Sequence, residues 1–181
     1  MKKNSAKPYL IAAAALLAAG AVYVLTRGSS APLPASVEKA PALSGPSFTP
    51  KMGEMPKKIS LTDFAGKVVL VDFWATWCEP CQEEIPGLVK LDRELEPKGF
   101  TILGVSMDEE GAKAVRRFVK DQPIPYPIIL NGAENPPPGW TVPGLPTAYL
   151  IGRDGTILRR WFGEKDPDEL RAAVDAALAA K

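Results

Sequence analysis

The sequence predicts an α/β domain, a mixed β-sheet with helices on both faces, and three observations predict it. "KVVLVDFWA" (67–75) and "TILGVSMD" (101–108) are β-branched apolar runs, too continuous for a sheet with one wet face, so they read as buried central strands. Segments with helical spacing follow each of them. The chain then offers "TAYLIGRDGTILRRWFG" (147–163), two strands joined by the turn signal "RDG". Parallel strands linked by helices and closed by an antiparallel hairpin need cover on both faces.

In chain order, the N-terminus comes first. "MKKNSAKPYLIAAAALLAAGAVYVLTRGSS" has a basic start and an uninterrupted apolar run from Tyr9 to Leu25. At 1.5 Å per residue that run reaches roughly 25 Å, the short end of a spanning helix. A cleaved signal has a shorter apolar core, so an uncleaved anchor over 1–27 is the favoured reading. Three lysines before the span and one arginine after it place the N-terminus in the cytoplasm and the bulk of the chain outside the inner membrane of a bacterium. Residues 28–46, rich in Pro, Ser and Ala without apolar periodicity, read as a flexible tether, and residues 47–181 as one domain of ordinary size.

Within that domain, "CQEEIPGLVKLDRELEPKG" (81–99) spaces Ile85, Leu88, Val89, Leu91 and Leu95 as one helical face, with Pro86 expected to kink it. "EEGAKAVRRFVKD" (109–121) is a second helix, with Ala114, Val115, Phe118 and Val119 turned inward. "YPIIL" (126–130) is a short strand, followed by the proline-rich loop "NGAENPPPGW" (131–140). "DPDELRAAVDAALAA" (166–180) closes the domain as a helix, with Asp166 as N-cap and Pro167 at its first position.

Composition excludes several functions. Beyond residue 27 the chain holds 18 bases against 21 acids, which leaves no basic face for nucleic acid. It has no histidine and two cysteines, too few ligands for zinc, so no metal and no cofactor is expected.

Both cysteines fall in "VDFWATWCEPCQEEIP" (71–86), at a strand-to-helix junction. A helix N-terminus presents free N–H groups and partial positive charge, which stabilise a thiolate. Cys78 is therefore the more acidic, more exposed thiol and the nucleophile, and Cys81, one turn in, is the resolving thiol. A permanent staple gains little from so short a ring, and the strand–helix context favours a redox pair over half a metal site. Asp72 shares a face with Leu70 and Trp74 inside a strand expected to be covered, where an unpaired carboxylate is costly. It is a candidate proton acceptor for Cys81, the alternative being an edge position wetted by solvent. Glu84, three residues past Cys81 on its side of the helix, could share that role or be a solvated helix charge.

"VDFWATWCEPC" together with "VPGLPTAYLIGRDGTI" resembles the thioredoxin superfamily, and "ISLTDFAGKVVLVDFWATWCEPCQEEIP" and "GVSMDEE" narrow the resemblance to the membrane-anchored TlpA/ResA-like thiol–disulfide oxidoreductases. The resemblance covers about residues 46–180. It implies a thioredoxin-like fold with an added N-terminal strand or hairpin, and a cis bond before Pro146 that leaves the Leu145 backbone free to pair with an extended substrate. Trp77, Glu79 and Pro80, with Leu145, Pro146 and Thr147, are the residues expected to face substrate. Asp72 matches the buried aspartate of thioredoxins, and Glu84 an acid of the ResA-like proteins. The lysine that accompanies the aspartate in typical thioredoxins has no counterpart in "TILGVSMD". "NPPPGW" departs from the family's short helix before the cis-proline, and Trp140 there either lines the substrate cleft or packs as a loop aromatic.

The resemblance implies a periplasmic disulfide reductase acting on exported proteins, apocytochrome c being one candidate, and recharged by a thiol-reducing membrane electron donor. Glu79 beside Cys78 opposes the thiolate and favours a reductant over an oxidant. The rivals are a peroxidase of peroxiredoxin type and a non-enzymatic assembly factor or holdase.

Overall fold

The computed structural model describes residues 38–48, 58–132 and 136–180. The expected anchor over 1–27, residues 28–37 of the expected tether and part of the loop after "YPIIL" lie outside the described residues, among which no helix is long and apolar enough to cross a membrane. The described residues belong to one compact unit, Val37–Lys181.

Among the described residues, seven strands form a mixed sheet: β1 (Ser44–Phe48), β2 (Lys58–Ser60), β3 (Val68–Trp74), β4 (Phe100–Ser106), β5 (Ile128–Leu130), β6 (Thr147–Ile151) and β7 (Ile157–Phe162). Three α-helices of the described residues flank it: α1 (Glu79–Leu95), α2 (Ala112–Asp121) and α3 (Pro167–Ala179). The spatial order is β2-β1-β5-β4-β3-β6-β7. β3 runs parallel to β4, and β4 parallel to β5, because a helix carries the chain back each time. β6 lies antiparallel to β3, and β7 antiparallel to β6. The expected α/β class and the added N-terminal hairpin are both present, β1 and β2 pairing antiparallel at one edge. β1 begins at Ser44, upstream of Ser47, and Gly45 lets it close on β5: a Cβ there would stand 2.8 Å from Ile129 Cγ2.

Every residue of β3 and β4 is buried, as their continuous apolar runs require. Trp74 packs at a tilt against Phe118 of α2 at 5.4 Å, and Phe73 on the opposite face packs against Trp140 and Tyr149 at 5.5 and 6.1 Å. Trp140 is thus a packed loop aromatic, 6% exposed, its indole N–H donating to the Ala42 carbonyl. α1 continues through Pro86, and α2 starts at Ala112, later than the acidic run suggests, behind Gly111 at φ 51°. Asp166 caps α3 by accepting from the Glu169 N–H at 2.8 Å, with Pro167 opening the helix, as read from the sequence.

Candidate active site

The turn after β3 ends on Cys78, which is the N-cap of α1, and Pro80 in the first turn forfeits no needed N–H. The two cysteines form a disulfide with Cα atoms 5.3 Å apart. Cys78 Sγ accepts from the Cys81 backbone N–H at 3.3 Å, so the sulfur expected to carry the thiolate sits against a free helix-terminal donor. Cys78 is 5% and Cys81 2% exposed; in the disulfide state the predicted difference in access is small. Trp77 beside them is 68% exposed, Glu79 is exposed and Pro80 half-buried.

The turn is held from below. Asp108, buried just past the end of β4, accepts from the Thr76 hydroxyl at 2.6 Å, the Thr76 N–H at 3.0 Å and the Ser106 hydroxyl at 2.8 Å. Gln82 Nε2 donates to the Thr76 carbonyl at 2.7 Å, and Gln122 Nε2 donates to the Gln82 carbonyl at 3.0 Å. The backbone that aims Cys78 is thereby tied to β4, α1 and the end of α2.

The Leu145–Pro146 bond is cis, as the resemblance implied. Thr147 pairs with Phe73 near the end of β3, which brings Leu145 and Pro146 to the same end of the sheet as the cysteines. Pro146 is buried and Leu145 half-buried. Thr147 is fully buried and its hydroxyl donates to the Gly144 carbonyl at 2.7 Å, so its side chain shapes the turn and does not face outward.

Asp72 lies inside the sheet at 3% exposure and not at a wetted edge. Its register neighbours on β4 and β6 are Gly104 and Ala148. Lys165, from the segment between β7 and α3, reaches the carboxylate. Its Nζ donates to Asp72 Oδ1 at 3.2 Å and to Glu84 Oε2 at 2.6 Å, while the Lys165 N–H donates to Glu84 Oε1 at 2.6 Å. Glu84 is therefore no solvated helix charge. Burial pushes the Asp72 carboxyl above its ordinary value, and the Lys165 ammonium only partly offsets this. Glu84 is raised by burial too, with the Lys165 ammonium opposing and the Asp72 charge adding to it. Burial pulls Lys165 down, but two carboxylates outweigh it and the net direction is up. One ammonium balances one carboxylate, so the second is the group that favours holding a proton.

The sequence reading missed Lys165 and the Asp108–Thr76–Gln82 ties. Lys165 stands alone in "FGEKDP", far in sequence from both acids it joins, and no local pattern marks it. Asp108 could have been found: it is the first acid after an apolar strand, in "SMDEE", facing a turn that needs its N–H groups satisfied.

A cysteine pair capping the helix after the central strand, with a cis-proline strand beside it, defines the thioredoxin-like fold class. The chain belongs to the AhpC/TSA family, whose model matches residues 38–160. It is 35% identical to the thiol-disulfide oxidoreductase ResA of Bacillus cereus (strain ZK / E33L) over 114 residues, 63% of this chain and 65% of the relative. ResA of Bacillus subtilis (strain 168) is 33% identical over 103 residues, 57% of each chain. The matches thus span somewhat less than two thirds of these relatives. Among solved structures, the thioredoxin domain of a thiol-disulfide oxidoreductase from Bacteroides vulgatus superposes with a TM-score of 0.63 at 28% identity, covering 78% of this chain and 96% of that one. A thiol:disulfide interchange protein of the thioredoxin family from Chlorobium tepidum TLS gives 0.58 at 30% identity, covering 78% and 100%.

Proposed function

We propose that this chain is a thiol–disulfide oxidoreductase, tethered by residues 9–25 to the inner membrane of a bacterium with its domain on the periplasmic side, that reduces disulfides in exported proteins. The observation that carries the reading is the Cys78–Cys81 disulfide at the N-terminus of α1, with Cys78 Sγ on the Cys81 N–H. The names of the relatives support the same chemistry. In the reducing direction the Cys78 thiolate attacks a substrate disulfide, forming a mixed disulfide and expelling one substrate thiolate. Cys81 loses its proton and attacks Cys78 Sγ, closing the enzyme disulfide and expelling the second. Asp72 and Glu84 are the acids available to take the Cys81 proton. Exposed Trp77 and Glu79, with half-buried Pro80, form the rim beside the nucleophile, and the Leu145 backbone pairs with an extended substrate. A thiol-reducing membrane electron donor restores the dithiol, and apocytochrome c before haem attachment is a fitting substrate.

The direction rests on Glu79, whose charge beside Cys78 opposes the thiolate. Equilibrating the protein with glutathione buffers tests it: a reductant lies near the thioredoxin value of about −270 mV, and a potential near about −120 mV overturns the claim. Cys81→Ser should hold the mixed disulfide at Cys78, and the captured proteins identify the substrate. Absence of any Cys78-dependent adduct from exported proteins would sink the reading.

A further inference from the structure

Asp72 and Glu84 look like rivals for one role, yet three facts separate their positions. Cys81 and Asp72 are 2% and 3% exposed, so neither exchanges a proton directly with bulk water. Glu84, whose side chain is 13% exposed, lies on the wall of a groove of about 550 Å³ between α1 and the start of α3, lined also by Pro80, Leu88, Lys165 and Leu170. The two carboxylates meet at a single atom, Lys165 Nζ.

We propose that Lys165 places the two acids in series: Asp72 takes the proton of Cys81, Lys165 passes one on, and Glu84 releases it into the groove. The proposal rests on the thiol–disulfide reading above and assigns the route by which its resolving step loses a proton. In that step the Cys81 S–H bond breaks and the proton joins Asp72. The Cys81 thiolate then forms the bond to Cys78 Sγ, and the bond from Cys78 to the substrate sulfur breaks with its electron pair on the leaving thiolate. Lys165 Nζ gives one of its protons to Glu84 Oε2 as it accepts the one on Asp72, so it remains an ammonium throughout. Glu84 hands its proton to water, and the leaving thiolate takes one from water, so no net proton is made. Cys81 lies one turn before Glu84 on the same side of α1, which puts the donor and the outlet on one helix face.

Other charged groups face this cluster. Tyr126, 2% exposed, has its hydroxyl held well above the ordinary phenol range by burial and then by the charges of Asp72, Asp92 and Glu84; it stays protonated and cannot serve as the outlet. Asp92 accepts from the Ile102 N–H at 3.1 Å and anchors α1 to β4. Around the groove mouth stand Glu83, Lys90, Glu94, Glu164, Asp168 and Arg171, of which Arg171 is paired with Glu94 and Asp175.

The test is a single turnover of the reduced full chain with dithiobis(nitrobenzoate), which releases one coloured thiolate when Cys78 attacks and a second when Cys81 resolves. Glu84→Gln should slow the second release about tenfold and leave the first unchanged. Added acetate should restore the second release, because the groove admits a small base. Asp72→Asn should slow it about 100-fold or more, the scale of a direct proton-transfer group, without rescue by acetate. Lys165→Arg keeps the positive charge but cannot pass a proton on, so it should also slow only the second release. Combined with Glu84→Gln it should be no slower than alone. A second release at wild-type speed in Glu84→Gln or in Lys165→Arg overturns the series, and so do effects that multiply in the double variant. An unfolding midpoint for each variant separates a slowed step from a damaged fold, and Glu84→Gln, at the partly open wall, carries the test if Lys165→Arg does not fold. Failure of the first release in the wild type, or its persistence in Cys78→Ser, would instead overturn the thiol–disulfide reading itself.

Discussion

Two lysines in this domain do the same job in opposite surroundings. Lys165 ties the segment before α3 to two acids under the sheet, with side-chain exposures of 1% for the lysine, 4% for Asp72 and 13% for Glu84. Lys39 ties the segment before β1 to the β6–β7 turn, donating to Asp154 Oδ2 at 2.8 Å, the Asp154 carbonyl at 2.9 Å and the Thr156 hydroxyl at 3.1 Å, with exposures of 58% and 64%. The acids respond in opposite directions. Asp154 is held well below the usual carboxylate range by hydrogen bonds from Lys39 and Thr156, while Asp72 is pushed up by burial despite its lysine. A cationic partner does not set the state of an acid by itself; access to water decides whether the partner or the desolvation wins. The wetted pair is a fastener, and the dry cluster is a place to keep a proton.

Removing the buried lysine should break this contrast most strongly. Lys165→Met leaves two carboxylates without their cation, and loss of one member of a buried ion pair costs about 3–5 kcal/mol. The cost should be largest at pH 8, where both acids are driven to ionise, and should shrink towards pH 4 as they take up protons. Urea unfolding at the two pH values measures it. A cost that is small, or equal at both, would mean that Lys165 does not balance the acids.

Next in size is the effect of removing the inner acid. Because the Asp72 carboxyl is raised in the fold, the folded chain binds its proton more tightly than the unfolded chain does. The stabilisation from that proton is fully present below the unfolded value near 3.8 and is lost as pH rises through the folded one. Asp72→Asn fixes the neutral form, so it should match the wild type near pH 4 and exceed it at pH 8 by on the order of 1 kcal/mol. Lysine Nζ can still donate to the asparagine oxygen. A variant less stable than wild type at pH 8 would show that the charged aspartate is an asset to the fold.

The same contrast explains what the sequence could and could not disclose. Strand β3, helix α1 and the β6–β7 hairpin were legible because each is specified locally, by apolar continuity, by helical spacing and by a turn signal. Cys78, Cys81 and Pro146 were legible for a similar reason: their chemistry depends on a junction or a bond that a short motif encodes. The burial of Asp72 was also readable, since a strand covered on both faces leaves an acid no water. Its partner was not readable. Lys165 is separated from Asp72 by 93 residues, and only the pairing of β3 with β6, and of β6 with β7, brings them together. The hydroxyl contact of Thr147 was not readable for the same kind of reason, because a motif locates a residue but does not say which way its side chain turns.

The smallest effect is expected at the exposed fastener. Lys39→Ala removes one ion pair and three donated hydrogen bonds at positions open to solvent, where such pairs contribute little. Two backbone bonds remain in place, Ala40 N–H to Gly155 and Ile157 N–H to Glu38, so the strand segment stays attached. The unfolding midpoint should fall by no more than about 2 °C. Amide exchange should accelerate at Ala40 and Ile157 but not in β3 or β4, because only a local opening becomes easier. The pH sign is the reverse of that at Asp72: the lowered Asp154 carboxyl adds stability above the ordinary aspartate value and loses it as pH falls through the folded one. A wild-type advantage over Lys39→Ala that does not decline as pH falls below the ordinary aspartate value, or a loss as large as that in Lys165→Met, would mean that exposure does not separate the two clusters, and the distinction between fastener and proton store would fall with it.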